Sequence, residues 1–108
     1  MKIAFDVSFI RLESVGGFKS YVDYLLSGFI ANRFGLEKKA EMIIITSNNN
    51  HRYYAENYPF KIINLDFDNR NHFKTIIACY QMVEKTIHKN RIMNLFIPAP
   101  VYPIKNNQ

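Results

Sequence analysis

Several things are scarce in this chain of 108 residues: it has no tryptophan, one cysteine, four glycines and four prolines. No apolar run approaches the roughly 20 residues that a bilayer-spanning helix requires. The N-terminus shows none of a signal peptide's basic, apolar and small-residue regions, so a cytoplasmic protein is expected. The length suits one domain with a single core, residues 1–108, and is short for a two-domain enzyme. Cys79 stands among Ile76, Ile77, Tyr80 and Val83 at helical spacing, a setting for a small buried apolar side chain and not for an activated thiolate. The three histidines, His51, His72 and His88, share no metal-ligand spacing, and no metal site is expected. Neither the dinucleotide fingerprint G-x-G-x-x-G nor the P-loop pattern occurs.

Charge is present but dispersed. The net charge is +5, from fourteen Lys and Arg residues against nine Asp and Glu. The cations stand singly apart from Lys38 and Lys39, so no basic stripe tracks a phosphate backbone and no nucleic-acid partner is expected. The excess favours acidic ligands or an anionic surface, such as a membrane face touched peripherally.

Four short apolar runs rich in isoleucine, "KIAF" (2–5), "MIIITS" (42–47), "FKIINL" (60–65) and "MNLFI" (93–97), read as buried strands. Between the first two, Phe18, Tyr21, Val22, Leu25, Leu26, Phe29 and Ile30 keep one helical face, with Lys19, Ser20, Asp23, Ser27 and Asn32 on the other. Between the last two, Phe73, Ile76, Ile77, Tyr80, Val83 and Ile87 repeat the pattern, with Lys74, Gln81, Lys85 and His88 outward. The middle connection, 48–59, is about the shortest that returns a chain to a parallel strand, and "HRYYAEN" supplies a brief helix within it. The alternation predicts an α/β fold: a Rossmann-like parallel sheet in order 3-2-1-4 with helices on both faces. The switch point then falls between the first and fourth strands, and ligands in such sheets bind at the strands' carboxyl ends beside it. The fourth strand would be an uncharged sheet edge, which invites self-association.

The loop after the first strand ends in Gly16 and Gly17. Glycine permits positive φ and close approach, and the N–H groups of a helix's first turn favour an anion, so "VGGFKS" can present donors to a phosphate or carboxylate; a tight strand-to-helix turn is the alternative. Asp6, ending the first strand, can hold this loop by accepting backbone N–H bonds or touch a substrate. "LDFDN" places Asp66 and Asp68 two apart, as in D-x-D metal motifs. Asp68, Asn69 and Asn71 also stand where short polar side chains cap a helix, and capping is the preferred reading.

"MKIAFDVSFI" followed by "GGFKSYVDYLLSGF" resembles the start of family 4 glycosyltransferases of the GT-B fold, which open with an M-[KR]-I-A-x-D strand, a loop ending in a glycine pair, and an apolar helix. The resemblance implies an incomplete half of a GT-B N-terminal, acceptor-side domain. It implies glycosyl transfer from a nucleotide sugar to a saccharide or lipid-linked acceptor, without a metal or other cofactor. It places Gly16, Gly17 and Lys19 at the donor phosphates, with Phe18 beside them; Asp6 and Phe18 stand as acceptor contacts or loop supports. Family members often carry a glycine and an arginine where this chain has Lys19 and Ser20, and a histidine after the fourth strand where it reads "IPAP". The family's second domain, which holds most of the donor site, has no counterpart here. A small phosphate- or nucleotide-binding module of flavodoxin-like architecture, or a chain without activity of its own, is the other expectation.

Overall fold

A computed structural model describes residues 2–13, 17–31, 41–92 and 94–96; the side chains of Phe18, Ala31, His72, Cys79, Tyr80, Asn94 and Phe96 lie outside that description. The readings of Gly16 and "IPAP" therefore fall outside the described residues, and those of the Phe18, His72, Cys79 and Tyr80 side chains outside the described side chains.

The chain is α/β. Strands β1 (Lys2–Asp6), β2 (Glu41–Ser47) and β3 (Lys61–Leu65) make the body of a parallel sheet, and β4 (Asn94–Phe96) adds three residues along the other side of β1. The sheet runs β3-β2-β1-β4. In register, Ala4 lies beside Ile43 on one side and Leu95 on the other, and Ile44 beside Ile62. Helix α1 (Gly17–Ala31) links β1 to β2, and the seven-residue α2 (His51–Asn57) links β2 to β3. The last crossover is helical from 72 to 89: α3 (His72–Ala78), a π turn (Cys79–Val83) and α4 (Glu84–Lys89).

Both faces of the sheet are covered, so its strands read as continuous apolar runs instead of alternating. Met42, Ile43, Ile44 and Ile45 of β2 are all fully or almost fully buried. Successive side chains point to opposite faces. Phe5, Met42 and Ile44 meet Val22 and Leu26 of α1 and Tyr54 of α2 on one face, where the Phe5 and Phe29 rings lie 5.2 Å apart. Ala4, Ile43, Ile45 and Leu65 meet Val83, with Met82 and Ile87 packed alongside, on the other. Each such fully buried aliphatic side chain contributes about 1.5–3 kcal/mol.

Two expectations are corrected. Tyr21 of α1 is exposed and does not share the inward face. More consequentially, Phe73, Ile76 and Ile77 are exposed, and the side of α3 facing the sheet carries Thr75 and Ala78. The cause is the π turn. From Ala78 to Val83, both buried, is a step of five residues, the span of a π-helical hydrogen bond. Extending the Val83 and Ile87 phase backwards at 3.6 residues per turn selects Ile76 and Phe73; the inserted turn rotates the preceding helix so that these no longer point inward.

The crossover ends in a Schellman motif: Ile92 N–H donates to Ile87 O at 3.0 Å and Arg91 N–H to His88 O at 3.3 Å. Ile87 and Ile92 pack in the same core cluster. Arg91 occupies the left-handed position at φ 55°, where glycine is usual. Arg91→Gly should therefore raise unfolding stability by about 1 kcal/mol, read as a shifted midpoint in chemical denaturation; an unchanged or lower midpoint would contradict the assignment of strain to this residue.

Candidate functional site

The described loops that follow β1, β2 and β3 meet at the carboxyl end of the sheet. Residues 7–10, after β1, are largely buried: Val7 and Ser8 have no exposed surface and Ile10 almost none. A buried carbonyl without a partner costs about 1–3 kcal/mol, and two asparagines from the other loops supply the donors. Asn50, after β2, donates its side-chain amide to Val7 O at 2.8 Å and Ile10 O at 2.9 Å, while its Oδ1 accepts from Ser47 N–H at 2.9 Å. Asn69, after β3, donates to Ile10 O at 2.8 Å, to Ser8 O at 3.0 Å and toward Ser47 Oγ at 3.1 Å. The Ile10 carbonyl thus sits between two amides from different loops.

Further bonds close the lattice. Asn69 N–H donates to Asn49 Oδ1 at 2.7 Å, and the Arg11 guanidinium reaches Asn69 O at 3.2 Å and Arg70 O at 3.1 Å. The Thr75 hydroxyl donates to Asn69 O and Asn71 O, tying the start of α3 to the same loop. Asn50 occupies the N-cap position of α2 without making a side-chain cap bond, because its amide is turned to the β1 loop. The Asn69 Oδ1 is buried and has no partner among the described residues.

Asp6 is wholly buried at the end of β1. Its Oδ1 accepts from Ser8 N–H at 3.0 Å and from the Ser8 hydroxyl at 2.6 Å, an Asx turn that starts the loop. Burial raises its pKa from the ordinary 3.8 to about 6, against the opposing pull of the Ser8 bonds. With no surface of its own, the carboxyl has the geometry of a loop support.

Lys19 is engaged elsewhere. Its ammonium contacts Asp23 Oδ2 at 3.0 Å, donates to the Tyr53 hydroxyl at 3.1 Å and lies 4.5 Å from the Tyr53 ring centroid. The Tyr53 and Tyr58 hydroxyls both donate to Asp23. The bonds to Tyr53 and Asp23 push the Lys19 pKa up, and burial followed by the Asp23 bond pushes Tyr58 up. Asp23 therefore joins α1 to α2 and its far loop and is not the solvated position its place on the outward face suggested. Gly17 is the first residue of α1, whose first turn carries no acidic side chain.

The D-x-D carboxylates point to separate partners. Asp66 accepts from the Asn48 amide at 2.8 Å, and Asp68 pairs with Arg70, which holds its carboxyl well below the usual carboxylate range. Asn71 accepts from Lys74 N–H at 3.0 Å, an N-cap of α3. Among the described residues no group of three His, Cys, Asp or Glu is placed to hold a metal ion, and no helix is long and apolar enough to cross a membrane. The bracing role of Asn50 and Asn69 was not read from the sequence; its signal is an asparagine soon after each of two strands, in "SNNN" and "DNRN".

Compared with protein-family models, with curated proteins and with solved structures, the chain matches none.

Two stability predictions follow from this end of the sheet. Below about pH 4 folded and unfolded Asp6 are both protonated. Between 3.8 and 6 only the folded form keeps the proton, so the stability this group confers is complete below 3.8 and is lost as pH rises through 6, a span of about 3 kcal/mol. Asp6→Asn should remove that slope, so unfolding free energies of the parent and variant, measured from pH 4 to 8, should diverge in the variant's favour as pH rises; parallel curves would contradict it. Asn50→Ala, which takes one donor from each of Val7 O and Ile10 O and the acceptor from Ser47 N–H, while Ile10 N–H and the Asn69 amide stay on those carbonyls, should cost about 2 kcal/mol. Asn50→Asp, isosteric but turning an acceptor on both carbonyls, should cost at least as much, whereas Asp66→Ala on the exposed rim should stay within about 0.5 kcal/mol.

Proposed function

We propose that this chain is the N-terminal, acceptor-side part of a family 4 glycosyltransferase of the GT-B fold, acting in surface polysaccharide or glycolipid synthesis and inactive without a donor-binding second domain. The reaction would move a sugar from a nucleotide sugar to a saccharide or lipid-linked acceptor. The observation that carries this reading is the path from β1 to α1. A strand with parallel neighbours on both sides ends in a buried carboxylate, its loop is braced by amides from two other loops, and a helix with no acid in its first turn begins at Gly17. The chain steps from β1 to β2 to β3 in one direction and returns to lay β4 beside β1, so the carboxyl end of β1 lies at a topological switch point, where open α/β sheets bind ligands. A flavodoxin-like sheet in order 2-1-3-4-5 would put the third strand beside the first, and here the fourth is there.

In glycosyl transfer the acceptor hydroxyl oxygen bonds to the anomeric carbon as the bond to the diphosphate breaks; the diphosphate leaves with the electron pair, and the hydroxyl's proton passes to an oxygen of the leaving diphosphate. Backbone N–H groups at a helix start stabilise that growing charge. Because Lys19 is paired with Asp23 and held by Tyr53, the contribution of this loop rests on backbone donors at Gly17 more than on the Lys19 ammonium.

Gly17→Ala, placed in a protein that joins this chain to a donor-binding domain, separates a phosphate cradle from a plain turn. Nucleotide-sugar affinity by calorimetric titration should fall severalfold with the melting temperature little changed. A variant that melts earlier and binds the donor as tightly as its parent would reject the reading.

A further inference from the structure

The crossover helix is apolar on two sides. Its inner side meets the sheet through Val83 and Ile87, and Ala78 is buried as well. Its outer side carries Phe73, 72 % exposed, with Ile77 at 42 % and Ile76 at 36 %. These three are spaced i, i+3, i+4 and form one patch. A helix that is apolar all round is normally covered all round.

What lies along the same outer ridge indicates the covering surface. Phe73, Ile77, Gln81, Lys85 and Lys89 are four residues apart in succession, and all five are exposed. In a plain α-helix such a row drifts by about 40° per step. The π turn, with its wider hydrogen-bond span, offsets part of that drift and keeps the row on one side. The ridge is therefore apolar at the end nearer the strands' carboxyl ends and basic at the other. Residues 72–91 contain Lys74, Lys85, Lys89 and Arg91, all exposed, besides two histidines, against one acidic residue, half-buried Glu84.

We propose that this outer face of α3 and α4 seats on an anionic lipid bilayer, Phe73, Ile76 and Ile77 entering the headgroup boundary while Lys74, Lys85 and Lys89 meet lipid phosphates. The combination of an exposed apolar patch with cations along one helix is that of an interfacial helix. A second copy of the chain fits less well: a two-fold interface apposes the same patch on both subunits, and two copies of this face offer almost no acid to match the lysines. The inference does not depend on glycosyl transfer.

Co-sedimentation of the 108-residue chain with vesicles tests it. The chain should pellet with vesicles of phosphatidylcholine and phosphatidylglycerol, weakly with phosphatidylcholine alone, and less as salt shortens the screening length. Lys85→Gln and Lys89→Gln should each reduce partitioning roughly fivefold. The double variant Phe73→Ser, Ile77→Ser, exposed in both positions and so expected to fold, should lose binding with its far-UV circular dichroism unchanged. Binding that survives the serine pair would be simple adsorption of a basic protein and would overturn the proposal. So would a chain that ignores anionic vesicles, including one whose sedimentation shows a dimer that the serine pair dissolves, since a second copy would then cover the face.

Discussion

The carbonyl oxygen of Ile10 accepts from two side-chain amides, Asn50 and Asn69, and much of the molecule's upper end depends on that meeting. A parallel sheet sends each of its connections out from the same edge, where loops must pack against one another without the regular ladder that serves the strands. The β1 loop lies inside that packing, so its carbonyls need partners that water does not supply. Side-chain amides fit because each provides two donors and an acceptor on one rigid plane. The arrangement has a visible cost: α2, only seven residues long, starts at a residue well suited to capping whose side chain is turned elsewhere. Such a short helix is marginal by itself and depends on tertiary contacts, chiefly those of buried Tyr54.

A second polar hub holds the opposite part of the α1 face. Asp23 receives the Tyr53 and Tyr58 hydroxyls and the Lys19 ammonium, so the mutual placement of α1 and α2 is set by charge-assisted bonds at the margin of an otherwise apolar contact. The two hubs share an organisation: one side chain from one element collects groups from others far away in sequence. Each also leaves one buried polar atom without a partner among the described residues, Asn69 Oδ1 in the first and the Tyr54 hydroxyl in the second. Tyr54 is packed between Tyr53 and Tyr58, and burial foremost raises its pKa.

The crossover helix shows how two fixed points can disagree within one element. At its start, Thr75 is tied by its hydroxyl to the Asn69 loop; farther on, Val83 and Ile87 are held by the core. An uninterrupted α-helix would not bring Thr75, Ala78 and Val83 to one side in that spacing, and the π turn reconciles them. The same re-phasing turns Phe73, Ile76 and Ile77 outward.

Read alone, the sequence determined the elements and the class. Strand runs of isoleucine fell within a residue or two of their observed bounds, and "HRYYAEN" is α2 from end to end, because a strand buried on both faces and a short amphipathic turn leave local patterns. Asn71 was legible as a cap for the same reason, since a cap acts three residues away. Tertiary structure alone decided what Asn50, Asn69, Asp23 and Lys19 do. Their partners lie 30 to 61 residues away in most of these bonds, and a polar side chain carries no local sign of which distant carbonyl or hydroxyl it will meet. It also decided which side of α3 faces inward: periodicity reports that a helix has an apolar stripe, whereas the phase of that stripe against the sheet is set by anchors at Thr75 and Val83 and by the turn inserted between them.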